Sequence, residues 1–102
     1  METARIILTA GNVRNHHFYL RGCSQIIPEG GLGGKNKADL GVPFTVRFEP
    51  GPTVLTDVDA AKMILRDRKA TRAFFEGAAA REGDVVVLDR LGDREISVRL
   101  EK

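Results

Sequence analysis

The sequence contains no tryptophan, one tyrosine and one cysteine in 102 residues. A lone thiol, Cys23, cannot form an intrachain disulfide, which suits a reducing compartment. No neighbouring base marks that thiol as a nucleophile, so Cys23 reads as an inert small hydrophobe. No apolar run approaches the ~20 residues that a membrane-spanning helix needs. The opening Met-Glu-Thr-Ala-Arg lacks the basic segment and apolar stretch of a signal peptide. These absences set the expectation of a cytoplasmic protein with no membrane partner. Internal repeats and low-complexity tails are absent as well. Charge of one sign is also scarce: 16 Lys and Arg stand against 14 Asp and Glu, for a net +2.

What is present suffices for one compact core. Hydrophobic residues make up 42% of the chain, and its length fits a single domain, 1–102. The charge is unevenly placed. From Lys62 to Arg72 there are five cations (Lys62, Arg66, Arg68, Lys69, Arg72) and one acid, Asp67. From Ala79 onward there are five cations and six acids. A local excess of this kind is the footprint expected where a protein meets an anion, and the anion expected here is a nucleic-acid backbone. A solvated charged face is the plainer reading of the same run.

The stretch from Thr53 to Lys69 organises the rest. As strand, turn and strand, it places Lys62, Ile64, Arg66 and Arg68 on one face and Met63, Leu65 and Asp67 on the other. As an alternative, Asp57 or Asp59 caps a helix running from Ala60 through Leu65, all good helix formers. Local propensity alone favours the helix slightly, and the rest of the chain has to decide.

Other segments read mostly as strands. Arg5–Ala10 is β-branched and apolar. Gly11–Asn15 is turn chemistry. His16–Arg21 alternates, with Phe18 and Leu20 opposite His17, Tyr19 and Arg21. A first hairpin follows from these, its tip carrying Arg14, Asn15 and His16. Ser24–Pro28 suggests one helical turn. Val42–Glu49 is a strand with an expected bulge. Thr71–Ala80 is a short helix burying Phe74, Phe75 and Ala78. Val85–Asp89 and Glu95–Leu100 form a closing hairpin through residues 90–94. The sum is a mainly β fold of about seven strands with one or two short helices.

Several chemistries fail on spacing. The glycine-rich loop 29–37 superficially matches a phosphate loop, but Glu29 stands where the first glycine belongs and Asn36 where a hydroxyl should hold magnesium. Lys35 and Lys37 in that loop can still act as point charges toward a phosphate. His16 and His17 face opposite ways on a strand and cannot easily share a metal. No cofactor is implied. Asp57 and Asp59 with Lys62 leave a magnesium-dependent nuclease as an alternative, and a β-barrel protein-interaction module is a third reading.

The order of these pieces resembles the DNA-binding pseudobarrel family. That fold occurs in the plant transcription-factor domain called B-three and in recognition domains of bacterial restriction endonucleases. The resemblance runs from Ile7–Leu20 through Thr56-Asp57 and the Arg66-Asp67-Arg68 triplet to Arg72-Ala-Phe-Phe75 and Arg81–Leu88. The tryptophan usual in the plant helix is missing, so Phe74 and Phe75 stand in its place, which fits the bacterial branch better. The resemblance implies a seven-stranded open pseudobarrel that grips double-stranded DNA with two arms in the major groove. One arm is then Arg14, Asn15 and His16. The other is Thr56, Asp57, Asp59 and Lys62, leading into Arg66 and Arg68. Arg, Asn and Asp suit guanine, adenine and cytosine edges respectively. Lys35, Lys37 and Lys69 would position the backbone. The implied role is non-enzymatic recognition in a restriction-modification or regulatory system, with a fused or separate nuclease or methyltransferase subunit.

Overall fold

The computed structural model describes residues 2–102. Eight strands and two helices follow in the order β1 (Thr3–Ile7), α1 (Ala10–Asn15), β2 (Leu32–Gly33), β3 (Phe44–Glu49), β4 (Thr53–Thr56), β5 (Val58–Asp59), β6 (Ile64–Leu65), α2 (Arg68–Ala78), β7 (Val85–Gly92) and β8 (Glu95–Glu101). Single turns of 3-10 helix occupy Ser24–Ile26, where one helical turn was expected, and Lys37–Asp39. The fold is mainly β and open. One sheet has the order β1-β7-β8-β3-β4, so β1 and β4 are edges; a small sheet has the order β2-β5-β6. None of the helices is long and apolar enough to cross a membrane.

The large sheet arises from period-2 burial. Phe44, Val46 and Phe48 all point into the core from β3, with Ile96 and Val98 from β8 and Val86 and Leu88 from β7. The parallel register sets Val46 beside Ile96 and Phe48 beside Val98 without interruption. The bulge expected in β3 is therefore absent: residues two apart share one face, and all three fit it. The closing hairpin forms as expected, and its strands run on to a tight turn with a register shift between Arg90 and Gly92.

Helix α2 lies over this sheet. Phe74 meets Phe48 at 5.5 Å between ring centroids, and Phe75 meets Phe18 at 6.3 Å. The helix starts three residues before the expected Thr71, because Asp67 caps it by accepting a hydrogen bond from the Ala70 amide at 3.0 Å. Gly51, at φ 139°, turns β3 into β4 where a side chain would crowd Phe48.

Three expectations fail here. The first strand ends at Ile7, and residues 10–15 are helix rather than turn. Thr9 Oγ1 accepts from the Asn12 amide at 3.1 Å while Asn12 Oδ1 accepts from the Thr9 amide at 3.0 Å, a reciprocal cap that starts α1. His16 then ends it at φ 56°. Second, residues 17–20 have no regular secondary structure and join no sheet, so the first hairpin does not exist. Phe18 and Leu20 are buried as the alternation required, but the segment is anchored to the β5–β6 turn by the Leu20 amide donating to the Met63 carbonyl at 2.7 Å. Third, Thr53–Lys69 is neither one alternating hairpin nor a helix from Ala60. β5 and β6 are two residues each, and Ile64 and Leu65 are both buried, so the four-residue cation face breaks up. The glycine-rich segment supplies β2, which pairs parallel to β5.

Candidate nucleic-acid interface

Asp57 and Arg66 form the inner half of the predicted second arm. Their side chains are only 4% and 17% exposed. Arg66 Nε donates to Asp57 Oδ1 at 2.6 Å and Arg66 Nη2 to Oδ2 at 3.1 Å, a bidentate pair. The Gly41 amide donates to Asp57 Oδ2 at 2.7 Å, and Arg66 Nη2 also donates to the Gly34 carbonyl at 2.6 Å. The pair thus holds both ends of the 34–41 loop. A side chain at Gly33 would overlap the Asp57 carboxylate and the Gly41 amide, so close approach of backbone requires glycine there. Burial pushes the Asp57 carboxyl up, but the Arg66 and Gly41 hydrogen bonds and the Arg66 charge outweigh it and hold the group below the usual carboxylate range.

Thr56 and Asp59 are also buried and committed to the chain. Thr56 Oγ1 accepts from the Asp67 amide at 3.1 Å, behind the cap of α2. Asp59 Oδ1 accepts from the Ala61 amide at 3.0 Å, shaping the turn that exposes Lys62. Thr56, Asp57, Asp59 and Arg66 are therefore each engaged by hydrogen bonds within the chain, and Thr56, Asp57 and Arg66 also line a cavity of about 190 Å³ apart from the basic one. Asp57 is equally occupied with respect to the nuclease reading. Among the described residues no group of three or more His, Cys, Asp and Glu side chains is placed to hold a metal.

The outer half is different. Asn15, His16, Arg68, Lys69 and Arg72 together line a solvent-open cavity of about 280 Å³, and no carboxylate is in its wall. The end of α1 and the start of α2 meet there: Arg68 Nη2 donates to the Asn15 carbonyl at 2.6 Å. Arg72 has Glu76 beside it at 3.5 Å, a weak exposed pair. Arg14, Lys62 and Lys69 are exposed and have no carboxylate within ion-pair range among the described residues. His17 joins this face to Lys62. Its burial first, then the charges of Arg68 and Lys62, push the imidazole below its ordinary value, and its Nδ1 is buried without a partner.

Asn15, His16, Arg68 and Lys69 are thus brought together around one cavity, while Arg14 and Lys62 are exposed outside its wall. Lys35 and Lys37 are exposed on the loop pinned by Arg66, outside the cavity. Missed by the sequence-based site are Arg72, which completes the cavity wall, and the row His17, Tyr19 and Arg21. The visible signal for that row was its alternation with buried Phe18 and Leu20. No protein-family model, curated protein or solved structure matches the chain.

Proposed function

We propose that this protein binds double-stranded DNA as a non-enzymatic recognition module, in a restriction-modification or regulatory system whose nuclease or methyltransferase is a fused or separate partner. One observation carries the reading: two segments about fifty residues apart in sequence converge on a single basic face free of acids in its cavity wall. The two arms then differ in make-up from those the resemblance implied. The first is the end of α1 with Arg14, Asn15 and His16. The second is the β5–β6 turn with Lys62, continued by Arg68, Lys69 and Arg72 at the start of α2. Arg68 and Lys69 meet the backbone, and Asn15 is the exposed side chain best suited to an adenine edge. The inner residues Asp57 and Arg66 shape the second arm without touching the ligand.

Titration with duplex DNA at several salt concentrations tests this. If the five permanent cations Arg14, Lys62, Arg68, Lys69 and Arg72 each neutralise one phosphate, log affinity falls against log salt with a slope of about −4.5. Salt-insensitive binding, or none at low salt, overturns the reading.

A protein-interaction module is supported by a separate feature. Leu40, Pro43 and Leu55 border a second cavity of about 190 Å³ beside the edge strand β4, where Leu55 is 69% exposed. Capture of a protein through that edge would not depend steeply on salt.

A further inference from the structure

Residues 17–20 join no sheet, and Arg21 and Gly22 form a turn closed by the Cys23 amide donating to the Leu20 carbonyl at 3.0 Å. The period of two puts Phe18 and Leu20 into the core and His17, Tyr19 and Arg21 on the outer side. Those three side chains form a column. The His17 and Tyr19 ring centroids are 5.0 Å apart, and the Arg21 guanidinium carbon sits 4.5 Å from the centre of the Tyr19 ring. Tyr19 is 38% exposed, and Arg21 is exposed. Gly22, at φ 76°, turns the chain away directly after the column.

Three arginines of this chain use their donors internally, whereas Arg14, Arg21 and Arg81 make no side-chain hydrogen bond or ion pair among the described residues. Arg66 binds Asp57 and Gly34; Arg94 binds the carbonyls of Glu29, Val42 and Pro43; Arg90 binds those of Gln25, Gly92 and Asp93. Arg21 makes no hydrogen bond or ion pair through its side chain among the described residues, yet its guanidinium already sits over an aromatic ring. A planar fork seated over a ring with all its donors free is pre-organised for a bidentate acceptor. Holding it in place beforehand removes part of the side-chain entropy that binding would otherwise cost.

We infer that Arg21, braced by Tyr19 and His17, is a further contact to the nucleic acid, engaging a pair of acceptor atoms on the duplex. The inference rests on the DNA-binding reading above. Continuity favours it: His17 lies within the field of Lys62 and Arg68, and Leu20 is hydrogen-bonded to the turn that carries Lys62. The acceptors are either two phosphate oxygens or O6 and N7 of a guanine, which share this chemistry.

The test uses the full chain and duplexes selected from a random pool, with Arg21→Ala, Tyr19→Leu, Tyr19→Phe, the double variant Tyr19→Leu/Arg21→Ala, and Arg68→Ala as reference. Arg21→Ala is expected to weaken the selected duplex about tenfold. Tyr19→Leu should lose several-fold, Tyr19→Phe should bind like the parent, and the double variant should be no weaker than Arg21→Ala alone. A phosphate target shows as an even loss over all sequences with the salt slope flatter by about one unit; a guanine target shows as a loss confined to selected sequences. Thermal melts confirm that each variant folds. If Arg68→Ala weakens binding and Arg21→Ala does not, the inference fails while the DNA reading stands. Strictly additive losses at Tyr19 and Arg21 also overturn it. Absence of duplex binding by the parent chain overturns both.

Discussion

Arg66 and Arg68 are two residues apart and chemically identical, yet they have opposite fates. Arg66 is mostly buried, bidentate to Asp57 and bonded to Gly34; Arg68 is exposed and donates once, to the Asn15 carbonyl. The difference does not come from the two arginines. It comes from what the rest of the chain brings within reach: a buried carboxylate and a glycine-rich loop for one, a helix end and solvent for the other. A basic run in sequence is therefore not one functional unit. Part of it builds the scaffold and part is left exposed.

The sharpest way to break this comparison is to remove each arginine in turn. Arg66→Ala leaves the Asp57 carboxylate buried without its partner and should cost about 3–5 kcal/mol of stability. Urea unfolding followed by circular dichroism measures this, and a loss below about 1 kcal/mol would place Arg66 with the exposed cations instead. The pair has a pH signature as well. Because the folded Asp57 carboxyl lies below its usual value, its contribution to stability is complete at neutral pH. It is lost as pH falls from about 4 through the lowered folded value. Asp57→Asn should be less stable at pH 7 and show a shallower loss on acidification. The residual acid dependence is then assigned to Asp84, held low by the Arg81 amide and by Lys102.

Arg68→Ala and Lys69→Ala should do the reverse. Each should leave the urea midpoint nearly unchanged and flatten the salt dependence of duplex binding by about 0.9. A stability loss comparable to that of Arg66→Ala would erase the distinction. Between these extremes stands Asp67, which caps α2 and donates its amide to Thr56 Oγ1. Asp67→Ala should cost about 1 kcal/mol of stability and weaken binding through the displaced start of α2. Smallest of all on binding should be Arg90→Ala and Arg94→Ala. Their donors are taken by backbone carbonyls of neighbouring loops, so the salt slope should not move. A change near 0.9 for either would shift the binding face to the closing hairpin.

Legibility in the sequence varied with the range of the deciding interaction. Phe44, Val46 and Phe48 announced β3, and Val85–Asp89 with Glu95–Leu100 announced the hairpin, because burial on a sheet writes itself at a period of two. The cap of α1 was also local. Thr9 and Asn12 stand in capping-box spacing, though Asn replaces the usual Glu or Gln and the glycine at position 11 suggested a turn. Residues 17–20 had the burial of a strand without its ladder, since side-chain alternation records which side faces the core and says nothing of where backbone partners lie.

The sequence by itself determined a mainly β domain with one short helix carrying Phe74 and Phe75 over a core of period-2 strands, and positive charge gathered between Lys62 and Arg72. These follow from local periodicity and composition, which any folded arrangement must respect. The tertiary structure alone decided which charges are free. It brought Gly34 and Gly41 to Arg66 and Asp57, and turned Thr56 and Asp59 inward. It also set Asn15 and His16 against Arg68, Lys69 and Arg72, and stacked Arg21 on Tyr19. Whether a charged side chain is neutralised or exposed depends on which partners come within a few ångströms, and those partners arrive from distant parts of the chain.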